Sequence, residues 1–206
     1  MTVLPLEKET IKGNSIVYPF CDESSGLLSL RAKPSVEGDG ECLILFKVLD
    51  LKRVGRDKDA IYIQDIYSNG PVNEGYGSAA MRALIKYAIS KNYGNIGGHL
   101  SPDDQDHIAR LHHFYKKHGF QLPEGLYGSI SLDLSNPSYI LSQLDNQLLI
   151  EENLFIKNQI TSLKCEYKKL EQELGRLVLE KENESGIIKL LRRVFKKQSS
   201  IDKTSS

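Results

Sequence analysis

The sequence predicts a mixed α/β fold in which helices flank a mostly antiparallel sheet, followed by a long helical arm. Short segments rich in β-branched and aromatic residues, typical of strands, fill much of the region 26–68. Amphipathic helical patterns then alternate with short strands up to residue 134. All seven prolines lie at or before Pro137, and only Gly175 and Gly186 among the glycines follow it. Turn-forming residues therefore nearly vanish from the last third of the chain.

Composition limits the class of protein. A chain of 206 residues suffices for one domain with a core and an appendage. Basic and acidic residues number 27 each, which argues against a surface built as a whole for nucleic acid. The three cysteines show no metal-ligand spacing and indicate reduced thiols. Neither a signal peptide nor a membrane-spanning apolar run is recognisable, so we expect a cytoplasmic protein.

The first predicted elements are strands. They cover 26–32, 41–51 and 60–68, and the turn residues between them favour an antiparallel meander. In the third strand, strict alternation predicts that one face carries Ile61, Ile63, Asp65 and Tyr67.

Two helices and two further strands complete the domain, which we assign to residues 1–137. The first helix has an apolar stripe and is predicted to stop at Gly94; the stripe consists of Met81, Leu84, Ile85 and Ala88. A strand follows at 95–100. Ser101 and Pro102 then predict the start of a second helix, which runs to about Lys117 before a last strand at 129–134.

The glycine turn, Gly75-Tyr76-Gly77-Ser78, lies between a predicted strand and the first helix. Glycine lets the backbone approach a ligand without a Cβ clash. The unpaired N–H groups of a helix start, with the positive end of its dipole, can hold a phosphate. A plain tight turn is the alternative interpretation, and the missing third glycine argues against a dinucleotide fingerprint.

A second motif, FYKKHGF at 114–120, closes the second helix. With the glycine turn before it, the order of elements resembles the GNAT superfamily of acetyltransferases over residues 26–134. The resemblance implies a mixed sheet splayed open in its middle and acetyl-CoA as the acyl donor. It also implies two groups of cofactor-binding residues. The pyrophosphate would lie on Gly75, Tyr76, Gly77 and Ser78, and the pantetheine arm along Ile66, Tyr67 and Ser68.

Two positions depart from the family pattern. Val72 stands three residues before the first glycine, where Gln or Arg is usual, and Ile108 stands where Asn is frequent. Because backbone N–H groups supply most contacts to a bound phosphate, acetyl-CoA binding is still expected.

The resemblance also implies a reaction, the direct transfer of an acetyl group to a primary amine on a small molecule or a protein. Tyr115 matches the family tyrosine that can protonate the departing thiolate, although an ordinary tyrosine at the core rim would fit the same pattern. Asp65, the only carboxylate of its predicted strand, is one candidate general base, and His99 is the other. The alternative function is a catalytically inactive adaptor that acts through the helical arm.

The histidines do not predict a metal site. All five lie between His99 and His118, and the helical ones are spaced by five, one and five residues. Helical metal ligands need spacings of three or four, so we expect no metal.

The arm divides into three predicted segments. Residues 138–185 form a coiled-coil helix, with Leu141, Leu144 and Leu148 in one register and Ile160, Leu163, Tyr167, Leu170, Leu174 and Leu177 in another. A homo-oligomer through 139–181 is predicted, the alternative being a helix folded back on its own domain. Residues 186–198 form a basic amphipathic helix. Its part 187–197 is suited to contact with an anionic surface, and the alternative is a solvated helix end. Residues 199–206 form a disordered tail.

Overall fold

The computed structural model confirms a mixed α/β fold. Of the 206 residues, it describes 2–3, 10, 12, 16–17, 20–21, 27–34, 41–69 and 74–201. The chain forms two compact units, Met1–Phe155 and Ile156–Ser206. Val72 lies outside the described residues. Among the residues that are described, no helix is both long and apolar enough to cross a bilayer.

The sheet lies in the first unit and contains eight strands among the described residues. The strands are β1 (Thr2–Val3), β2 (Ile16–Val17), β3 (Phe20–Cys21), β4 (Leu27–Pro34), β5 (Glu41–Leu49), β6 (Ala60–Asn69), β7 (Asn95–Leu100) and β8 (Gly128–Asp133). Their order in space is β1-β3-β4-β5-β6-β7-β8, and β2 pairs with β4. The helices are α1 (Tyr76–Ser90), α2 (Ile108–Lys117) and α3 (Pro137–Ile201), with short 3-10 helices at Lys52–Val54 and Pro102–His107.

The predicted meander is confirmed, because β4, β5 and β6 pair antiparallel in sequence order. The strand at 95–100 has the predicted bounds. It joins β6 in parallel and β8 antiparallel, which makes the sheet mixed.

Helix α1 supplies much of the core. Its predicted stripe is confirmed: Met81, Leu84, Ile85 and Ala88 are each fully buried. Burial of one large apolar side chain stabilises a fold by about 1.5–3 kcal/mol, so this stripe fixes the helix firmly against the sheet. The helix ends earlier than predicted, because Asn92 adopts φ 60° and Tyr93 donates back to the carbonyl of Ala88 at 3.0 Å. Asn92, rather than Gly94, is therefore the left-handed residue that terminates α1.

The second helix begins as predicted. The Ser101 side chain accepts from the N–H of Asp103, and the Asp104 side chain accepts from the N–H of Ser101. This capping box opens the 3-10 helix that leads into α2.

Helix α3 belongs to both units. In the first unit, Ile140 and Leu144 are buried in the domain core. At Leu144 the helix therefore packs back on its own domain, which was the predicted alternative to an exposed coiled-coil seam. The helix continues through Gly186 to Ile201. The basic segment 186–198 and residues 199–201 are thus part of α3, and the division of the arm into three segments stays a prediction. In the second unit, the apolar side chains from Ile156 to Leu177 on α3 are exposed.

Candidate functional site

The sheet opens between β6 and β7. The two strands pair only from Ala60 to Tyr62 on β6, and within the described residues the rest of β6 pairs with β5 alone. Residues 63–69 of β6 therefore present an edge of backbone N–H and C=O groups on the side away from β5; we call this the open edge. The splayed sheet implied by the GNAT resemblance is present.

A β-bulge lies where the opening begins. Leu45 of β5 pairs with Asp65 whereas Phe46 pairs with Ile63, which leaves Gln64 as the extra residue. A bulge bends a strand and increases its twist, so it helps to turn the end of β6 away from β7.

The bulge also changes which side chains face the core. Of the four residues predicted to share one face, Ile61 and Ile63 are buried, but Asp65 is exposed and Tyr67 is 47% exposed. Ile66 packs against the core instead. The predicted alternation is therefore wrong beyond Ile63, because the extra residue shifts the two-residue period by one.

Asp65 stands on the exposed side of the open edge. Its carboxylate accepts from the N–H of Ile66 at 2.7 Å. A hydrogen bond with this carboxylate and its negative charge raise the pKa of the Tyr67 hydroxyl. The Asp65 carboxylate is thus accessible to a ligand, and it affects the pKa of the neighbouring Tyr67 hydroxyl.

Tyr115 is buried on α2. Burial chiefly, and then the negative charges of Asp104 and Asp65, raise the pKa of Tyr115 well above its ordinary value of 10.0. The ring packs edge-on against Phe114 and Phe120, with centroid distances of 5.5 Å and 5.2 Å. Tyr115 therefore keeps its proton at neutral pH and is a hydrogen-bond donor rather than an acceptor anion.

The FYKKHGF motif is largely a helix-ending motif. Gly119 has φ +83°, its N–H donates to Lys116, and the N–H of Phe120 donates to the carbonyl of Tyr115. This pair of bonds is the Schellman arrangement, which is often accompanied by an apolar contact of the kind Tyr115 and Phe120 make. The glycine, with its left-handed backbone, therefore helps to fix the position of Tyr115.

The glycine turn begins α1. Gly75 is the N-cap residue with φ +89°, a conformation that favours glycine, and its carbonyl accepts from Ala79 at 3.0 Å. The first N–H groups of a helix lack intrahelical acceptors, and Gly75 has no side chain to accept from them. The first turn of α1 carries no acidic residue. These features suit an anion at this helix end.

The second glycine, Gly77, also serves the packing of the helix. A Cβ at Gly77 would lie 3.5 Å from the Phe114 ring, an ordinary van der Waals distance. Gly77 thus faces α2, and its missing side chain serves the packing of α1 on α2.

The remaining predicted cofactor-binding residues differ in which of their groups are available to a bound cofactor. Tyr76 and Ser78 are buried, and burial is the main reason that the pKa of Tyr76 is raised. The Ser78 hydroxyl already accepts from Lys117, so these two residues offer an anion their backbone N–H groups. Ser68 pairs with Cys42 in the sheet, and its side chain lies outside the described residues.

Sequence reasoning missed a group of polar residues beneath this turn. The Lys117 ammonium lies 2.9 Å from Ser78 Oγ and 2.7 Å from Glu151 Oε1 on α3. The other Glu151 oxygen lies 3.9 Å from the Arg82 guanidinium on α1. Glu151 thus bridges cations of two helices. Lys117 belongs to the FYKKHGF motif, which was the only available sequence signal for this group.

His99 is exposed on β7, opposite Ser129 of β8. Within the part of the chain that the structure describes, His99 makes no hydrogen bond or ion pair with Asp65 or Tyr115, so its role as a base stays a prediction. Over the same described part of the chain, no cluster of three His, Cys, Asp or Glu side chains is placed to bind a metal ion.

Comparisons with known proteins give a limited result. No family model matches the chain. An uncharacterized protein, YocC from Bacillus subtilis (strain 168), is 42% identical over 64 residues, which are 31% of this chain and 38% of that protein. The match therefore spans well under half the length of this curated relative.

Several solved structures are similar at low identity. A GNAT-family acetyltransferase from Streptococcus pneumoniae matches at 18% identity and a TM-score of 0.36, over 54% of this chain and 69% of that one. Nourseothricin acetyltransferase matches at 13% and 0.37, over 57% and 71%. A cAMP-binding acyltransferase from Mycobacterium smegmatis matches at 10% and 0.43, over 73% and 57%. At these TM-scores the likeness supports no argument about activity, which depends on the site itself.

Proposed function

We propose that this chain is an acyl-CoA-dependent N-acyltransferase, which transfers the acetyl group of acetyl-CoA to a primary amine. The observation that carries the proposal is the opening of the sheet between β6 and β7, where the exposed Asp65 lies on the open edge. Tyr115, the candidate proton donor, is buried on α2, and the charge of Asp65 is the smallest of the three causes that raise its pKa. The glycine-capped start of α1 adds an anion-binding element to the same fold.

Two features of the described backbone support the binding of a CoA ester. The N–H groups of Tyr76, Gly77 and Ser78 are the donors we assign to the pyrophosphate, because they begin a helix without a first-turn acid. Within the described strands, the open edge offers unpaired backbone groups to the amides of a pantetheine arm, as an added strand would meet them. Bound there, acetyl-CoA supplies an electrophilic thioester and a thiolate leaving group.

The side chains divide the proton transfers between them. The attacking amine must lose a proton, and the exposed Asp65 carboxylate is the acceptor we assign to it, with His99 as the second candidate. The leaving sulfur must gain a proton or a hydrogen bond. Tyr115 is assigned to the sulfur, and its raised pKa means that it stabilises the developing thiolate mainly by donating a hydrogen bond.

The acceptor is an amine-bearing molecule, either small or a protein. Asp65 and Tyr67 are exposed beside each other at the open edge, and a carboxylate there attracts an alkylammonium group before it is deprotonated.

Calorimetric titration with acetyl-CoA tests the first half of the proposal, and release of the CoA thiol with a panel of polyamines, amino acids and lysine peptides tests the second. We expect saturable binding and thiol release with at least one class of amine. A folded protein that binds no acetyl-CoA would overturn the proposal. Binding without thiol release across the panel would favour the inactive adaptor instead.

A further inference from the structure

The second unit of the chain carries a regular row of exposed apolar side chains on α3. The row alternates steps of four and three residues, and its members are from 48% to 70% exposed. We call this row the arm seam; it consists of Ile156, Ile160, Leu163, Tyr167, Leu170, Leu174 and Leu177.

The spacing of the arm seam indicates that its partner is another helix. A mean step of 3.5 residues, kept over three heptads, matches a second helix that winds around the first in a left-handed supercoil. A helix of this kind is stabilised chiefly by packing of its apolar face, because propensity alone contributes little in water. Polar residues fill most of the remaining surface from 156 to 177, so one apolar face dominates.

We propose that the arm seam is the interface of an antiparallel homodimer, in which Tyr167 of one chain lies opposite Leu170 of the other. In this register the layers pair Leu163 with Leu174, and Ile160 with Leu177. Ile156 then meets Lys181, the residue that continues the spacing after Leu177. The arm seams of the two copies therefore overlap along their whole length. Both copies bury the same residues, as a twofold interface requires.

The charges beside the seam favour this orientation. In a parallel dimer, Glu166 of each chain would face Glu171 of the other, and Lys181 would meet its own copy in the core. In the antiparallel register, Lys164 faces Glu171 of the partner on both sides of the twofold axis. A repulsion between Glu166 and Glu173 of the partner also occurs on both sides. Each such exposed pair contributes about 0.3–0.5 kcal/mol, so the antiparallel pairing roughly balances its charges whereas the parallel one accumulates repulsion.

The mass of the full chain in solution tests the dimer. One copy has a mass of 23.2 kDa, and we expect sedimentation equilibrium to give twice that value at micromolar concentration. The double variant Leu163→Lys, Leu170→Lys should be monomeric. Its matched control is Leu154→Lys, Leu179→Lys, which changes leucines that are 58% and 62% exposed but lie off the seam. The control should remain dimeric with unchanged circular dichroism.

Cross-linking tests the orientation in a Cys165→Ser background. We expect a disulfide-linked dimer when a Tyr167→Cys chain is mixed with a Leu170→Cys chain, and little from either chain alone. A Leu170→Cys chain that cross-links efficiently to itself would overturn the antiparallel register. A wild-type chain that stays monomeric up to high micromolar concentration, or a control that dissociates as the seam variant does, would overturn the interface. Acetyl-CoA binding is a separate readout, so this proposal can fail without the proposed function failing.

Discussion

The Lys117 ammonium on α2 lies 2.9 Å from the hydroxyl of Ser78, which is in the first turn of α1. The same ammonium lies 2.7 Å from Glu151 on α3. One side chain thus joins three helices at the turn to which we assign the CoA pyrophosphate. A network of partly buried polar groups holds its geometry well only when all its members are present, because the loss of one leaves a partner without its hydrogen bond.

Replacing Lys117 by Met should therefore weaken both the fold and the anion site. Loss of the ammonium leaves Ser78 without this donor and Glu151 without its nearest cation, and we expect about 1–3 kcal/mol of lost stability in urea unfolding. We also expect a several-fold weaker affinity for acetyl-CoA in calorimetry. Lys116→Met is the matched control, since Lys116 is exposed and should change stability by less than about 0.5 kcal/mol. Equal behaviour of the two variants would contradict this role.

Tyr115→Phe should reduce the rate of acetyl transfer. Removal of a positioned hydrogen-bond or proton donor typically costs about 10²–10⁴-fold in rate, and the fall should appear in kcat more than in KM. The raised pKa of Tyr115 also predicts that its ionisation causes no loss of activity below pH 10. Tyr127→Phe, at a half-buried tyrosine that packs on the core, serves as the control. An unchanged kcat for Tyr115→Phe would remove this residue from the chemistry.

Asp65 and His99 can be separated as candidate bases. Asp65→Asn keeps the size of the side chain but removes the proton acceptor, so we expect kcat/KM to fall at least about 100-fold. His99→Gln should change it little if Asp65 is the base. Rates of CoA thiol release measured from pH 6 to pH 9 provide the comparison. If the histidine variant loses the activity and the asparagine variant keeps it, the assignment of the base is reversed.

The two glycines of the turn should respond differently to alanine. At Gly75, alanine would have to adopt φ +89° with its Cβ 3.1 Å from Cβ of Thr10, and we expect about 1–2 kcal/mol of lost stability with weaker acetyl-CoA binding. At Gly77 the new methyl group would meet Phe114 at 3.5 Å, inside a helix that alanine favours over glycine. Gly77→Ala should therefore be neutral or stabilising in urea unfolding. A larger loss at Gly77 than at Gly75 would contradict this division of roles.

The sequence predicted the elements whose signals are local. The stripe of α1, the capping box at Ser101 and the strand at 95–100 depend on residues within a few positions of one another, and the structure confirms them. The splay of the sheet followed from a family resemblance and is also present.

The features that were missed depend on distant partners. The bulge at Gln64 arises from pairing with β5, and no neighbouring residue in the sequence indicates the shift that exposes Asp65. The approach of Glu151 to Arg82 and Lys117 needs the packing of α3 on the domain, which a helical pattern does not specify. An isolated Gly186 weakens a helix without ending it, and α3 accordingly continues through this residue.

His118 should make the stability of the protein depend on pH. It is 3% exposed, and neither ring nitrogen has a hydrogen-bond partner among the described residues. Burial chiefly, with the positive charges of Lys117 and Arg82, lowers the pKa of His118 from 6.5 to about 3. Between these two values the unfolded chain binds a proton that the folded chain does not. This contribution to stability is therefore intact above pH 6.5 and falls as the pH drops toward 3.

Replacing His118 by Phe removes this dependence and keeps an aromatic ring beside Phe114. The loss in the wild-type protein approaches about 1.4 kcal/mol per pH unit, so at pH 5 the variant should gain about 2 kcal/mol relative to the difference measured at pH 8. Urea unfolding of both proteins at the two pH values gives this number, and carboxylates that titrate in the same range cancel in the comparison. His113→Phe, at an exposed histidine, should show no such gain. Identical differences at pH 5 and pH 8 for His118→Phe would mean that the folded protein accommodates a protonated His118, against the burial and positive surroundings that the structure gives it.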